Sequence, residues 1–238
     1  MKHRNTPRDK MFLYDQTAHI YNHRYREIQE EKYRSILRRV TFGRADLILD
    51  AGCGTGMLLE KIPKEHAVGV DFSREMIKRA KNKNKSSNLV RADLSNLPFK
   101  DNTFDCIVFD PPYQDRWRFN LEKVKRPGRL YLENPYMLSE GYECFTPQQL
   151  ELVKTEFYRV LRTQGILIMK LADHRSRNIW WQPEVFKRMD DLFEILDIII
   201  YVRPKGSMLP PVYFIQRNRR STLVHAYFFI LKKREVED

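Results

Sequence analysis

Seven short apolar runs, at residues 47–51, 67–70, 88–90, 106–109, 166–171, 195–202 and 223–231, punctuate this chain. Stretches of helical character separate most of them, at 57–62, 74–82, 147–161 and 183–192. The runs are almost continuously apolar, so each strand is covered on both faces, as in a parallel sheet with a helix layer on either side. The last two runs lie close together without a clear helix between them, which predicts antiparallel pairing there. The expected fold is α/β: a doubly wound, seven-stranded, mostly parallel sheet with an antiparallel terminal strand. Upstream, Tyr21, Tyr25, Ile28, Tyr33, Ile36 and Leu37 recur at helical spacing. Residues 1–40 are therefore read as a helical extension and 41–238 as the main domain. Two stretches, 113–146 and 203–222, are too long for ordinary connections and are candidates for substrate recognition.

Several classes are excluded at the outset. No apolar run approaches the ~18 residues that span a bilayer, and the N-terminus lacks the apolar core of a secretion signal. Cys53, Cys106 and Cys144 are an odd number without paired spacing, so neither a disulfide framework nor a zinc site is expected. A cytoplasmic setting without a metal follows. Lys and Arg number 43 against 31 Asp and Glu, a formal charge of +12 that favours polyanionic partners.

The run at 47–51 passes directly into Gly52-Cys53-Gly54-Thr55-Gly56. Glycines there permit a tight turn and close approach of a ligand to bare backbone. Asp71 follows Gly52 by 19 residues, at the end of the next strand, where a carboxylate can accept from both hydroxyls of a ribose. The arrangement describes a Rossmann-like site for an adenosine-bearing cofactor. A dinucleotide fingerprint would require glycine at Met57, and the spacing here is Gly-x-Gly-x-Gly with Asp50 before it. This resembles motif I of class I S-adenosylmethionine-dependent methyltransferases. The resemblance runs from about Leu47 to the C-terminus and implies S-adenosyl-L-methionine as cofactor. It places Asp50, Gly52, Gly54 and Gly56 at the methionine end, Asp71 on the ribose and Asp93 at the adenine amino group.

The strand at 104–109 ends in Asp110-Pro111-Pro112-Tyr113. An exocyclic amine on a base is a poor nucleophile because its lone pair is delocalised into the ring. Two acceptors on its hydrogens, the Asp110 carboxylate and the Pro111 carbonyl, would localise that pair as the methyl arrives. Proline fixes φ and cannot donate, so Pro111 and Pro112 make a rigid, acceptor-only corner. Tyr113 offers a stacking face. The tetrapeptide resembles motif IV of the adenine-N6/cytosine-N4 nucleic-acid amino-methyltransferases. That likeness implies Asp110, Pro111, Pro112 and Tyr113 as catalytic, with Asp110 also near the cofactor.

Around this corner, Arg116, Trp117, Arg118, Lys123, Lys125 and Arg126, then Arg203, Lys205, Arg217 and Arg219, form two basic clusters suited to phosphates and unstacked bases. The expected acceptor is thus a base in structured RNA or DNA, RNA slightly favoured because a flipped DNA base needs a larger recognition region. The segment from Lys170 to Arg177, with Asp173 and His174, follows the fifth strand and can reach a substrate. His225, on the terminal strand, is read as structural. Two alternatives stay open. Tyr14-Asp15-Gln16-Thr17-Ala18 and the phrase Leu97–Asp105 look like small-molecule methyltransferases of the quinone-biosynthesis type. A relative that binds nucleic acid without catalysis is the other.

Overall fold

The computed structural model describes residues 22, 26, 29–40, 42–43, 45–83, 88–111, 145–173, 179–202 and 225–235. Within them lies one seven-stranded sheet: β1 (Ile48–Ala51), β2 (Ala67–Asp71), β3 (Asn88–Arg91), β4 (Phe104–Phe109), β5 (Leu161–Leu171), β6 (Phe193–Val202) and β7 (His225–Lys233). The spatial order is β3-β2-β1-β4-β5-β7-β6. The first five strands run parallel, and β7 is antiparallel to both of its neighbours, β5 and β6. The expected antiparallel pairing is present at one end of the sheet, and it is β6 rather than β7 that forms the edge.

Each face has its own apolar layer. On one, α3 (Pro147–Val160) and α4 (Trp181–Met189) bury Leu150, Phe157, Val185 and Met189 against Leu49, Ile107, Leu167 and Phe229. Thr146 and Gln149 close a reciprocal capping box at the start of α3, and Pro147 occupies its first turn. On the opposite face the helix at residues 29–37, here α1, buries Ile36 against strand residues that include Ile168, Ile199, Tyr201 and Phe228. The remaining helix, α2 (Arg74–Lys83), begins where the Ser73 Oγ accepts from the Met76 N–H at 3.2 Å.

Two local readings are corrected. The apolar spacing of Met57, Leu58, Leu59 and Ile62 imitates a helix at 57–62, yet only Leu59–Lys61 form a single 3₁₀ turn. Three positive-φ glycines set the backbone just before it, and Pro63 follows at once. Strand β5 begins at Leu161, five residues before the apolar run, because Leu161 pairs with Phe104 and the polar Arg162–Gly165 segment is absorbed in a register shift opposite Phe104 and Cys106.

The layer under α3 is aromatic. Phe157 is fully buried, with its ring edge-to-face on Phe109 at a centroid distance of 5.1 Å. Phe157→Ala is expected to destabilise the protein by about 3–5 kcal/mol through lost transfer energy and the cavity left behind. Urea unfolding checks this, and a loss below about 1 kcal/mol would show that the neighbouring rings collapse to fill the space.

Candidate active site

Parallel strands end together, and the chemistry-bearing residues follow from that. In register, Ala51 at the end of β1 pairs with Val70 of β2 on one side and Phe109 of β4 on the other. The next residues out are Gly52, Asp71 and Asp110, which therefore share the carboxyl edge of the sheet. The strand order reverses between β1 and β4, the place where open α/β sheets bind ligands.

Gly52, Gly54 and Gly56 carry φ values of +80°, +53° and +77°. A β-carbon built on Gly52 or Gly54 meets no atom within 4 Å, so the space above the loop is open and any side chain there would enter it. Asp71 ties this loop to α2. One of its carboxylate oxygens accepts from the Gly54 N–H at 2.9 Å and the other from the Ser73 N–H at 2.8 Å. Phe72, the next residue, is among the exposed large apolar side chains, and its ring offers a face for an adenine. Its position beside Asp71 was the signal by which sequence reasoning could have found it. Asp93 lies just past β3, exposed, with one oxygen accepting from the Ser95 N–H and hydroxyl at 2.9 and 2.8 Å.

Asp50 lies on β1, 5% exposed, and its Oδ2 is a buried oxygen with no hydrogen-bond partner among the described residues. Burial, reinforced by the charges of Asp110 and Asp71, pushes its carboxyl well above the usual carboxylate range. Three acids converge on one edge of a basic protein, with an orphaned acceptor at their centre. A ligand bearing a sulfonium and an ammonium suits such a place, and the open glycine cradle fits its body.

Asp110 is not isolated. Lys170, near the end of β5, makes an ion pair through its Nζ with both Asp110 carboxylate oxygens. The Gln29 Nε2 donates to Asp110 Oδ2 at 3.1 Å, and Lys170 Nζ donates to Gln29 Oε1 at 3.5 Å. The two ionic side chains are 3% and 11% exposed. The N-terminal segment thus reaches the site directly. Besides Gln29, the Thr55 hydroxyl of the glycine loop donates to Asn22 Oδ1, and Arg26 donates to Glu60 Oε2 at 2.7 Å. Sequence reasoning missed Asn22, Gln29 and Thr55, whose roles depend on how that segment lies across the sheet. Lys170 was expected in a segment after the fifth strand that can reach a substrate; the structure puts it within β5 and pairs it with Asp110.

Of the other expected residues, Pro111 is buried at the corner after β4. Asp173 is engaged locally, accepting from the Trp181 N–H at 2.7 Å and from the Tyr227 hydroxyl at 3.1 Å, which anchors α4 to β7. Pro112, Tyr113, Arg116, Trp117, Arg118, Lys123, Lys125, Arg126, His174, Arg203, Lys205, Arg217 and Arg219 lie outside the described residues. Cys53 and Cys106 are free, and burial raises both thiols. No described helix is long and apolar enough to cross a membrane.

Comparison with known proteins places this site in a family. A methyltransferase-domain model matches residues 48–126. The uncharacterized protein MJ0638 of Methanocaldococcus jannaschii is 32% identical over 79% of this chain and 81% of its own length. Demethylmenaquinone methyltransferase of Staphylococcus saprophyticus is 26% identical over 66% of this chain and 70% of its own. Matches to malonyl-[acyl-carrier protein] O-methyltransferases of Buchnera aphidicola and Bacillus anthracis are 43% and 30% identical. They cover 40% and 60% of this chain, and 42% and 55% of those proteins. In three dimensions the fold is similar to the N-methyltransferase NodS of Bradyrhizobium japonicum in complex with S-adenosyl-L-homocysteine. That likeness has a TM-score of 0.56, 15% identity, and 87% of each chain covered. Residues 48–126 thus carry the domain of the class I S-adenosylmethionine-dependent methyltransferases, and the chain spans about half the length of the first curated relatives it matches.

Burial raises the Asp50 carboxyl and a cation arriving beside it lowers it again, so binding there is linked to proton release. Calorimetry at pH 7 in buffers of differing ionisation heat is expected to show net proton release with S-adenosylmethionine. The release should be smaller with the neutral product, should shrink as pH rises, and should vanish in Asp50→Asn. Equal release in that variant would remove Asp50 from the cofactor site.

Proposed function

We propose that this methyltransferase acts on a small-molecule acceptor whose nucleophile donates its hydrogen to the Asp110 carboxylate. The observation that carries the reading is the position of Asp110, part-buried at the carboxyl end of β4, across the strand switch from the Gly52–Gly56 loop. In this reading Gly52, Gly54, Gly56, Asp50 and Asp71 hold the cofactor, with Phe72 and Asp93 at the adenine end. The bound cofactor supplies an electrophilic methyl on sulfur. The chain's own part is to orient the acceptor, draw density onto its nucleophilic atom through the hydrogen bond to Asp110, and keep water from the corner that Pro111 closes. A small or carrier-borne acceptor is supported by the relatives named for demethylmenaquinone and malonyl-[acyl-carrier protein].

A second reading, an exocyclic amine of a nucleic-acid base, is favoured by the tetrapeptide Asp110–Tyr113 and by the basic clusters from Arg116 to Arg129 and from Arg203 to Arg220. The tetrapeptide suits a planar amine, and the clusters suit phosphates. One experiment separates the two. Purified protein is incubated with tritiated S-adenosylmethionine and extract divided into a low-molecular-weight filtrate and a macromolecular fraction, with and without nuclease. Label in a small product separated from unreacted cofactor, or in macromolecule indifferent to nuclease for a carrier-borne acceptor, is the expected result, and label recovered in nucleosides would replace it with the second reading. In either fraction Asp110→Asn is expected to lower transfer by about 10²-fold or more while product binding persists. Full activity in that variant would remove Asp110 from the reaction.

A further inference from the structure

Three carboxylates on one edge raise a problem of charge that the cofactor chemistry makes specific. S-adenosylmethionine carries a sulfonium, and its product, S-adenosylhomocysteine, does not. A site too negative would hold the substrate form far more tightly than needed and dissipate binding energy in the ground state. The described residues contain a counterweight. Facing Asp110 are Asp50 from β1, Asp71 from β2, Gln29 from α1 and Lys170 from β5, and Lys170 is the one cation paired with Asp110 among them. Its ammonium is 3% exposed, a costly place for a lysine unless its partner is fixed.

We infer that Lys170 is a positioning residue that offsets the charge of Asp110, and that it thereby sets how strongly the site distinguishes the sulfonium cofactor from its neutral product. The geometry gives it two effects. With Gln29 it occupies part of the Asp110 acceptor capacity and holds the carboxylate in one orientation, leaving the remaining lone pairs for the acceptor's hydrogen. It also makes the Asp110–Lys170 pair neutral overall, so the negative charge left to a cationic ligand comes from Asp71 and from Asp50 as it ionises. Register makes the pairing local: Phe109 is opposite Met169, and Asp110 and Lys170 are the next residues along. This inference rests on the cofactor assignment and is independent of which acceptor is methylated.

The test needs no acceptor. Dissociation constants for S-adenosylmethionine and S-adenosylhomocysteine are measured by calorimetry at pH 8 on the full chain and its variants. In Lys170→Met the ratio is expected to move toward S-adenosylmethionine by at least about fivefold, since Asp110 becomes an uncompensated anion. Asp110→Asn is expected to move it the opposite way, because Lys170 is then uncompensated. The double variant, neutral at both positions, and Lys170→Arg should each stay within about twofold of wild type. Opposite signs for the two single variants are a readout that mere loss of packing does not produce. If Lys170→Met fails to fold, Asp110→Asn and the double variant decide the matter by the same criterion. An unchanged ratio, or equal weakening of both ligands, would overturn the role of Lys170 alone. Wild-type protein that binds neither ligand would overturn the cofactor assignment beneath it.

Discussion

The parallel hydrogen-bonded register of β1, β2 and β4 is the constraint on which this molecule depends. Strands that run the same way finish at the same edge, so residues distant in sequence (Gly52, Asp71 and Asp110) become neighbours without any loop having to bring them together. Both faces of that register are buried, by α3 and α4 on one side and by α1 on the other. A sheet packed on both faces resists slippage, since moving one strand by a residue would send each side chain to the opposite layer and break the packing of both. The site therefore inherits its precision from the core.

That arrangement also fixes the electrostatics. Carboxylates at the ends of buried strands are partly removed from water, so they interact at lower effective dielectric than surface acids do. Asp50 bears the largest consequence, with a buried oxygen that has no partner among the described residues and a carboxyl that burial drives toward its neutral form. Such an arrangement lowers stability in the absence of a ligand and favours one that is cationic, as strain at functional sites generally does. The excess of positive charge over the whole chain conceals this, because net charge describes the surface and not the pocket.

Much of the fold was legible in the residues, for physical reasons that can be named. Continuous apolar runs such as Cys106–Phe109 have few fates besides a strand covered on both faces. Glycines at 52, 54 and 56 between a strand and a helical stretch pointed to a tight turn, and the structure gives all three positive φ values. What local pattern missed was whatever depends on distant partners. Met57 to Ile62 carry helical spacing, but the turn before them and Pro63 after them leave room for a single 3₁₀ turn. Lys170 was read as near the substrate, but its partner, Asp110, emerges only when β5 is laid beside β4. Gln29 and Asn22 are ordinary polar residues of a helical stretch, and their meaning comes from the face of the sheet that stretch crosses. The resemblance to small-molecule enzymes at Leu97–Asp105 was legible as well, and the relatives named for demethylmenaquinone and malonyl-[acyl-carrier protein] favour it over the nucleic-acid reading.

The placement of β7 has a consequence for how the chain acquires its structure. Strand β6 pairs with β7 and with no other strand of the sheet, and β7 in turn fills the gap beside β5. Until β7 docks, β5 presents an open edge and β6 has no hydrogen-bonding neighbour, although both are already synthesised. Assembly of that half of the sheet is therefore a single cooperative event built on long-range pairing, which is slow relative to local structure. The parallel half, β1 to β4, closes through shorter connections and can serve as the template. Lys170 stands on β5 at the seam between the two halves, so its meeting with Asp110 joins the part that forms first to the part that forms last.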